Sequence, residues 1–345
     1  IVLMAHLDVV PARRADWPFD PFVLQEKDGW YYGRGAEDDK AGVASIVATL
    51  LRFKREKYVP ERDLVAVLTA DEETDGRSIQ WLLANHRALI DGEYALNADA
   101  GNVNLEQGKA LTHTLQASEK VFANFKVEAT NPGGHSSLPR KDNAIYDLSM
   151  ALAKLAVFHF PVRLNEVSRA YFRQSAAAQP ADVAALMIAV ADNPAGPATA
   201  QLAAKNPYWN SVLRTTCVAT LLSGGHADNA LPQRAAANVN CRMLPDDPTD
   251  SVRTTLQRVM GSAVKVTVDG TVTNSPVSPL RSDLMGVVDR LTRTQFPGAT
   301  VVPEMSAGAT DGLFMRNAGI PTYGLTAIAF EQSEPSRAHG QEERV

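Results

Sequence analysis

Cysteine is scarce, with only Cys217 and Cys241 in 345 residues. Two thiols cannot assemble a zinc–thiolate site or a disulfide framework. Both lie in β-like runs and read as buried, inert thiols, with a single bridge between them the other option. Positive charge is also short: 34 Lys and Arg stand against 39 Asp and Glu, a net charge of −5. That balance argues against nucleic acid or an anionic membrane surface as partner. No apolar run reaches the roughly 18 residues that a membrane-spanning helix needs. The chain carries no GxSxG elbow, no CxxC and no HExxH helix, so nothing signals a serine or thiol nucleophile or a zincin helix. The glycines of GRGAED lack GxGxxG spacing, which excludes a dinucleotide fingerprint.

Acids and imidazoles are present, each placed just after an apolar run or a glycine turn. His6 and Asp8 follow IVLMA, Asp38 and Asp39 follow Gly33-Arg34-Gly35-Ala36, Glu72 and Glu73 follow LVAVLTA, and Asp99 follows YALNA. His339 sits near the end in AHGQEERV. Side chains at the carboxyl ends of buried strands converge on one crevice in an open α/β sheet. So dense a set of acids needs compensating positive charge, and divalent metal is its natural source. The pattern implies a metal-dependent hydrolase.

The length favours two domains. Residues 1–117 alternate strand-like runs (IVLMAHL, LVAVLTA, YALNA) with helix-like ones (Ala41–Phe53, Ser78–His86), the texture of βαβ units with a largely parallel sheet. Near Glu119 the strands begin to alternate in polarity, as in VFANFKVEA, LRTTCVATLL and AANVNCRML. Helices are expected from about Asn143 to Phe158 and at Thr249–Met260, with an alanine-rich, helix-prone stretch Ser168–Lys205 between proline interruptions. Such a segment reads as a small α+β domain with one open sheet face. From Pro279 the α/β texture returns, with a helix Asp283–Thr294 and a strand-like run Ile320–Ile328. The expected organisation is therefore an α/β domain of residues 1–117 and 274–345, interrupted by an inserted domain of residues 118–273. Ile1 begins inside an apolar run and Val345 follows closely on His339. The sequence reads as trimmed at both ends, and compartment is left unassigned.

Each motif alone has an ordinary reading beside the chemical one. His6 and Asp8 share a side of an extended segment, so Asp8 can orient a metal-binding imidazole, but a structural histidine near a surface acid looks the same. Asp38 and Asp39 open a helix, where acids are common. The preceding glycine turn permits close approach and aims one carboxylate at the crevice, where both its oxygens can bridge two cations. Of Glu72 and Glu73, one can bind metal while the other handles protons on water; an exposed acidic turn is the alternative. Asp99 reads as an oxygen ligand or a turn residue, and His339 as a ligand or a surface residue. His135, in GGHSS, can hydrogen-bond a developing oxyanion or be a loop histidine.

Taken in order, these stretches resemble the co-catalytic zinc metallopeptidases that include acetylornithine deacetylase, succinyl-diaminopimelate desuccinylase, aminoacylase and the glutamate and yeast-type carboxypeptidases. The matching stretches are MAHLDVVP, YYGRGAEDDKAG, TADEETDG, NADAG, NPGGHSSLP, NALPQRAAANVNCRMLP, SAGATDGLFMRNAGIPTYGL and AHGQEERV, from residue 4 to 345. The resemblance implies a mostly parallel catalytic sheet flanked by helices, with an inserted α+β lid and dimerisation domain built on an antiparallel sheet. It implies two zinc ions, one held by His6, Asp99 and Asp38, the other by Glu73, His339 and Asp38. Cobalt or manganese would suit the same donors. Asp8 would orient His6, Glu72 would be the general base and His135 the oxyanion donor, in similar proteins often from the partner subunit of a homodimer. Asn229 and Arg242 would bind the substrate carboxylate, and Gly308, Thr310 and Asp311 match a loop beside the site. Asp99 stands where many members carry Glu, and Glu342 where Asn or Asp is more usual. The implied substrate is a small peptide cleaved at its carboxylate end, or an N-acyl amino acid.

Overall fold

The computed structural model describes residues 1–334 and 336–345. The chain divides into two compact units: residues 1–119, 165–192 and 275–345, and residues 120–164 and 193–274.

The first unit is built on an eight-stranded mixed sheet. Its centre is parallel. Val2–His6 lies between Val65–Thr69 and Ala95–Asn97, with Thr322–Gly324 beyond the latter. Register is tight, His6 opposite Thr69 and Met4 opposite Asn97. The three strands therefore end at one edge, and whatever follows them emerges together. Val2, Met4, Val67 and Ala95 pack against Ile79, Ile90, Met315 and Ile320, all buried. Helix Ala41–Glu56 ends at Lys57 in the left-handed conformation. Helices Arg77–Asn85 and Ser282–Gln295 match the expected segments within a few residues. The parallel core becomes mixed on one side, where Lys109–Glu119 runs antiparallel to Val103–Glu106 and parallel to Thr300–Ser306. Of the strand-like run 320–328, only Thr322–Gly324 is strand. Beyond it the main chain turns into a loop whose Leu325 and Thr326 amides bond Asn97 and Gly101 carbonyls.

The second unit carries a four-stranded antiparallel sheet in the order Thr216–Gly224, Arg234–Met243, Val121–Thr130, Lys265–Asp269. Helices Ala144–Ala156 and Thr249–Met260 supply Leu148, Leu155, Val252 and Leu256 to a core with Phe125, Val127 and Val239. Asn143 caps the first of them, its side-chain oxygen accepting from the Ile145 and Tyr146 amides. The strands alternate buried and solvent-facing residues as expected for a sheet covered on one side.

Two expectations are corrected here. Residues 165–192 belong with the first unit, not with the inserted segment. Helix Glu166–Ser175, closed by a capping box at Asn165 and Ser168, buries Val167 and Phe172, and Asn165 reaches Met305 on strand Thr300–Ser306. Helix Ala181–Asp192 is tied to it by the Arg173–Asp192 pair. The alanine-rich composition of this stretch carries no mark of which unit it joins. The cysteines, read as thiols, are bonded: Cys217 and Cys241 face each other on neighbouring antiparallel strands, Cα atoms 4.1 Å apart. That pairing depends on a register that sequence spacing does not reveal.

Candidate metal centre

The site forms in the first unit where the parallel strands end. His6 is the last residue of its strand and is 1% exposed. Its Nε2 lies 2.9 Å from Asp38 Oδ1 and 3.6 Å from Asp99 Oδ1. On the other side of Asp38, Oδ2 is 3.1 Å from His339 Nε2, which is itself 3.0 Å from Glu73 Oε2. Two donor groups result, His6–Asp38–Asp99 and Asp38–Glu73–His339, and within each the ligand atoms lie within 4.8 Å of one another. The two groups share Asp38, one oxygen toward each imidazole.

Local sequence explains how Asp38 gets there. Gly35 has φ of 81°, a conformation that favours glycine, and the Asp38–Asp39 peptide is cis. Gly42 opens the following helix with no room to spare, since a Cβ would lie 2.2 Å from Asp39 Oδ1 and 2.6 Å from the Ala98 Cβ. Asp39 thereby sits buried behind the site, its Oδ2 accepting from the His6 amide at 3.4 Å.

Asp8 differs in detail from its expected part. Its carbonyl oxygen lies 3.1 Å from His6 Nδ1 and its carboxylate 3.5 Å. That carboxylate also accepts from the amides of Glu72 and Glu73, at 3.2 and 3.0 Å. One acid thus holds both the imidazole and the acidic turn. Glu72 lines a small internal pocket with His6, Thr69, Asn97, Asp99 and Asp311.

The electrostatics are those of crowded acids. Burial, with Asp99 nearby, pushes Glu72 up to about 9. Burial likewise raises Asp39 to about 8, Asp99 to about 7 and Asp311 to about 6. Burial alone would lower His6, but its hydrogen bonds to Asp38 and Asp99 push it up to about 12. Asp38 moves down despite burial, because both imidazoles flank it. Both oxygens of Asp311 are buried without a hydrogen-bond partner among the described residues. A set of N and O donors with surplus negative charge fits a divalent cation.

Beside Asp38 and Asp99 opens a cleft of about 170 Å³ with Ile328, Phe330 and Ala338 in its wall. Thr310 does not face solvent as a substrate-binding group would. Its hydroxyl donates to Glu119 at 3.0 Å, in a buried cluster where Arg316 pairs with the same carboxylate at 2.7 Å. A fully buried Glu119 needs those donors, and this requirement overrides the expectation for Thr310. Gly308 is exposed, its amide bonded to Ser306 Oγ.

In the second unit His135 and Asn229 meet. Strand Gly134–His135 pairs with Ala230–Leu231, and the Ser136 amide donates to the Asn229 carbonyl at 3.0 Å. His135 Nδ1 accepts from the Ser137 hydroxyl at 2.7 Å. Arg242 is not with them. It lies eight residues along its strand from Arg234, opposite Phe122, over whose ring its guanidinium sits at 4.8 Å. Eight residues of antiparallel strand span roughly 27 Å, which puts Arg242 toward the far end of that strand from the turn after Leu231.

Two residues that sequence reading passed over complete the first-unit site. Arg34 and Glu343 form a buried ion pair, Nη1 to Oε2 2.5 Å. Glu343 is the second acid of HGQEERV, directly after Glu342. Only the burial of a charge marks it, and burial cannot be read 309 residues from its partner.

A sequence profile described as Peptidase family M20/M25/M40 matches residues 2–345. The chain belongs to this family. It is a metallohydrolase of the class that acts on amide bonds. Among similar proteins, the N-fatty-acyl-amino acid synthase/hydrolase PM20D1 of Homo sapiens is 29% identical over 359 residues, covering all of this chain and 70% of that protein. A solved M20 family metallo-carboxypeptidase from Sulfolobus solfataricus matches with a TM-score of 0.70 at 18% identity, over all of this chain and 80% of that one. Human carnosine dipeptidase 1 matches at 0.60 and 18%, over all of this chain and 76% of that one. These two likenesses speak for the fold.

Proposed function

We propose that the chain hydrolyses an amide bond next to a free carboxylate, using two divalent ions, zinc first, held by His6, Asp38 and Asp99 and by Asp38, Glu73 and His339. The observation that carries this reading is the shared Asp38, with one oxygen toward each imidazole. When bound, such a metal pair supplies Lewis acidity toward the carbonyl and acidifies water. Glu72 takes the proton from the attacking water and returns it to the departing amine. Asp8 keeps Glu72 and Glu73 in place through their amides. Gly308 borders the substrate as a loop residue.

The first unit is the catalytic domain in this reading, and the second a lid and dimerisation domain. Arg242 takes the substrate carboxylate in a planar fork, while His135, beside Asn229, donates to the oxyanion. Arg242 lies toward the far end of strand Arg234–Met243 from the segment that pairs with His135, so this reading assigns the two to different sites. We infer a homodimer in which His135 and Asn229 serve the partner's site. Strand Thr216–Gly224 offers an open sheet edge with Val218, Leu221 and Leu222 each more than half exposed. Ile145, Tyr146 and Met150 of the neighbouring helix are exposed as well.

A carboxyl-terminal peptide bond or a dipeptide is the first substrate. N-acyl amino acids are the second reading, favoured by the similarity to PM20D1 and by the apolar wall of Ile328 and Phe330 in the cleft beside Asp38. Release of free amine from a panel of dipeptides and N-acyl amino acids separates the two. Turnover of neither class would sink the proposal.

A further inference from the structure

We propose that the buried Arg34–Glu343 pair is chiefly a positioning device for one metal position, Asp38–Glu73–His339, and that the other, His6–Asp38–Asp99, leans on it only through the shared Asp38. The inference rests on the two-metal reading above. The two positions differ in how their ligands are held. His6 and Asp99 extend from adjacent parallel strands in fixed register. His339 has no strand under it. It stands in a loop, with φ of 64° and a side chain 53% exposed.

What holds that loop is the ion pair. Arg34 Nη2 donates to the carbonyls of His339 and Gly340, at 3.1 and 3.0 Å. Arg34 Nη1 binds Glu343 Oε2, and the other carboxylate oxygen of Glu343 accepts from the amides of Glu37 and Asp38, both at 3.1 Å. A single guanidinium–carboxylate fork thus grips the main chain of the terminal histidine and of the shared aspartate. The side chains are 4% and 1% exposed, and Trp17 lies under the guanidinium at 5.3 Å. A buried pair contributes little net stability compared with apolar replacements, but the planar guanidinium fixes one donor on Glu343 and the other on the loop carbonyls. The loop has independent anchors, with Gly33 donating to the Glu343 carbonyl and Tyr31 exchanging bonds with Val345. Removing the pair therefore leaves the segment attached while freeing the angle at which His339 meets Asp38.

The test is a cobalt titration of the metal-stripped chain, read by the visible absorption of bound Co²⁺ and by metal content after dialysis. The wild type should bind two ions. Glu343→Gln should bind the first ion within about threefold of wild type and the second about 10–100-fold more weakly, the usual cost of losing an outer partner of a metal ligand. Because an unpaired buried Arg34 can destabilise the chain, the double replacement Arg34→Met with Glu343→Leu is the companion, since it removes both charges together. It leaves the His339 and Gly340 carbonyls and the Glu37 and Asp38 amides without these partners, so it should melt lower than wild type yet still fold and show the same selective loss. Unchanged affinity for both ions in the double variant overturns the inference, as does equal weakening of both. A wild type that binds fewer than two ions instead overturns the two-metal reading beneath it.

Discussion

Glu72 stands one residue before a proposed ligand and shares a pocket with two more, His6 and Asp99. If it carries the proton, Glu72→Gln should lower kcat by about 10²–10⁴-fold while metal content stays unchanged. Full turnover in that variant would remove it from the mechanism. The same acids make a second prediction. Glu72, Asp39 and Asp99 have folded pKa values of about 9, 8 and 7, above their ordinary values, and His6 is raised as well. All four hold protons in the folded state that the unfolded chain releases, so stability from this cluster is lost as pH rises. In the metal-stripped protein the stability should fall between about pH 5 and pH 9, by on the order of 1 kcal/mol per pH unit for each extra proton held, seen as a falling melting temperature. Added divalent ion should flatten that slope. A stripped protein whose melting temperature rises over the window would contradict the cluster's electrostatics.

At the scale of elements, strand ends were the most legible part of the chain. Apolar runs followed at once by His6, Glu72 or Asp99 announce themselves, because a buried parallel strand is apolar throughout and its carboxyl end is where side chains reach a crevice. Helix Thr249–Met260 was equally plain from its periodicity. Lys109–Glu119 was not, since its LTHTLQASE pattern mixes buried polar residues such as Gln116, Ser118 and Glu119 that only tertiary partners make tolerable. Arg34 and Glu343 were invisible for the same reason, as was the allegiance of helix Glu166–Ser175. Helix starts depend on local chemistry and can be tested singly. Asn143→Ala removes a cap that serves two amides and should cost about 1 kcal/mol, seen as a melting temperature lower by a few degrees. No shift would mean that the helix start is held by packing alone.

Over the whole molecule, the question is how many chains make a working site. Glu72 and His135 belong to different compact units, and His135 and Arg242 stand at opposite ends of one of them. If His135 serves the partner, Glu72→Gln and His135→Ala chains, each nearly inactive alone, should recover up to about a quarter of wild-type turnover when mixed and allowed to exchange, since half the dimers are mixed and each holds one intact site. Leu222→Asp, on the open sheet edge, should give a monomer by sedimentation that keeps its metal and loses about 10²–10³-fold in rate, the size expected for a missing oxyanion donor. A fully active monomer would place His135 elsewhere in the account.

The central claim is that two ions per chain support amide hydrolysis. Zinc titrated into the chelator-stripped protein, with free amine release from an N-acyl amino acid or dipeptide as the signal, tests it most directly. The account predicts no turnover without metal and a rise that breaks at two equivalents per chain. Turnover that survives the chelator, or that saturates at one equivalent, would contradict it.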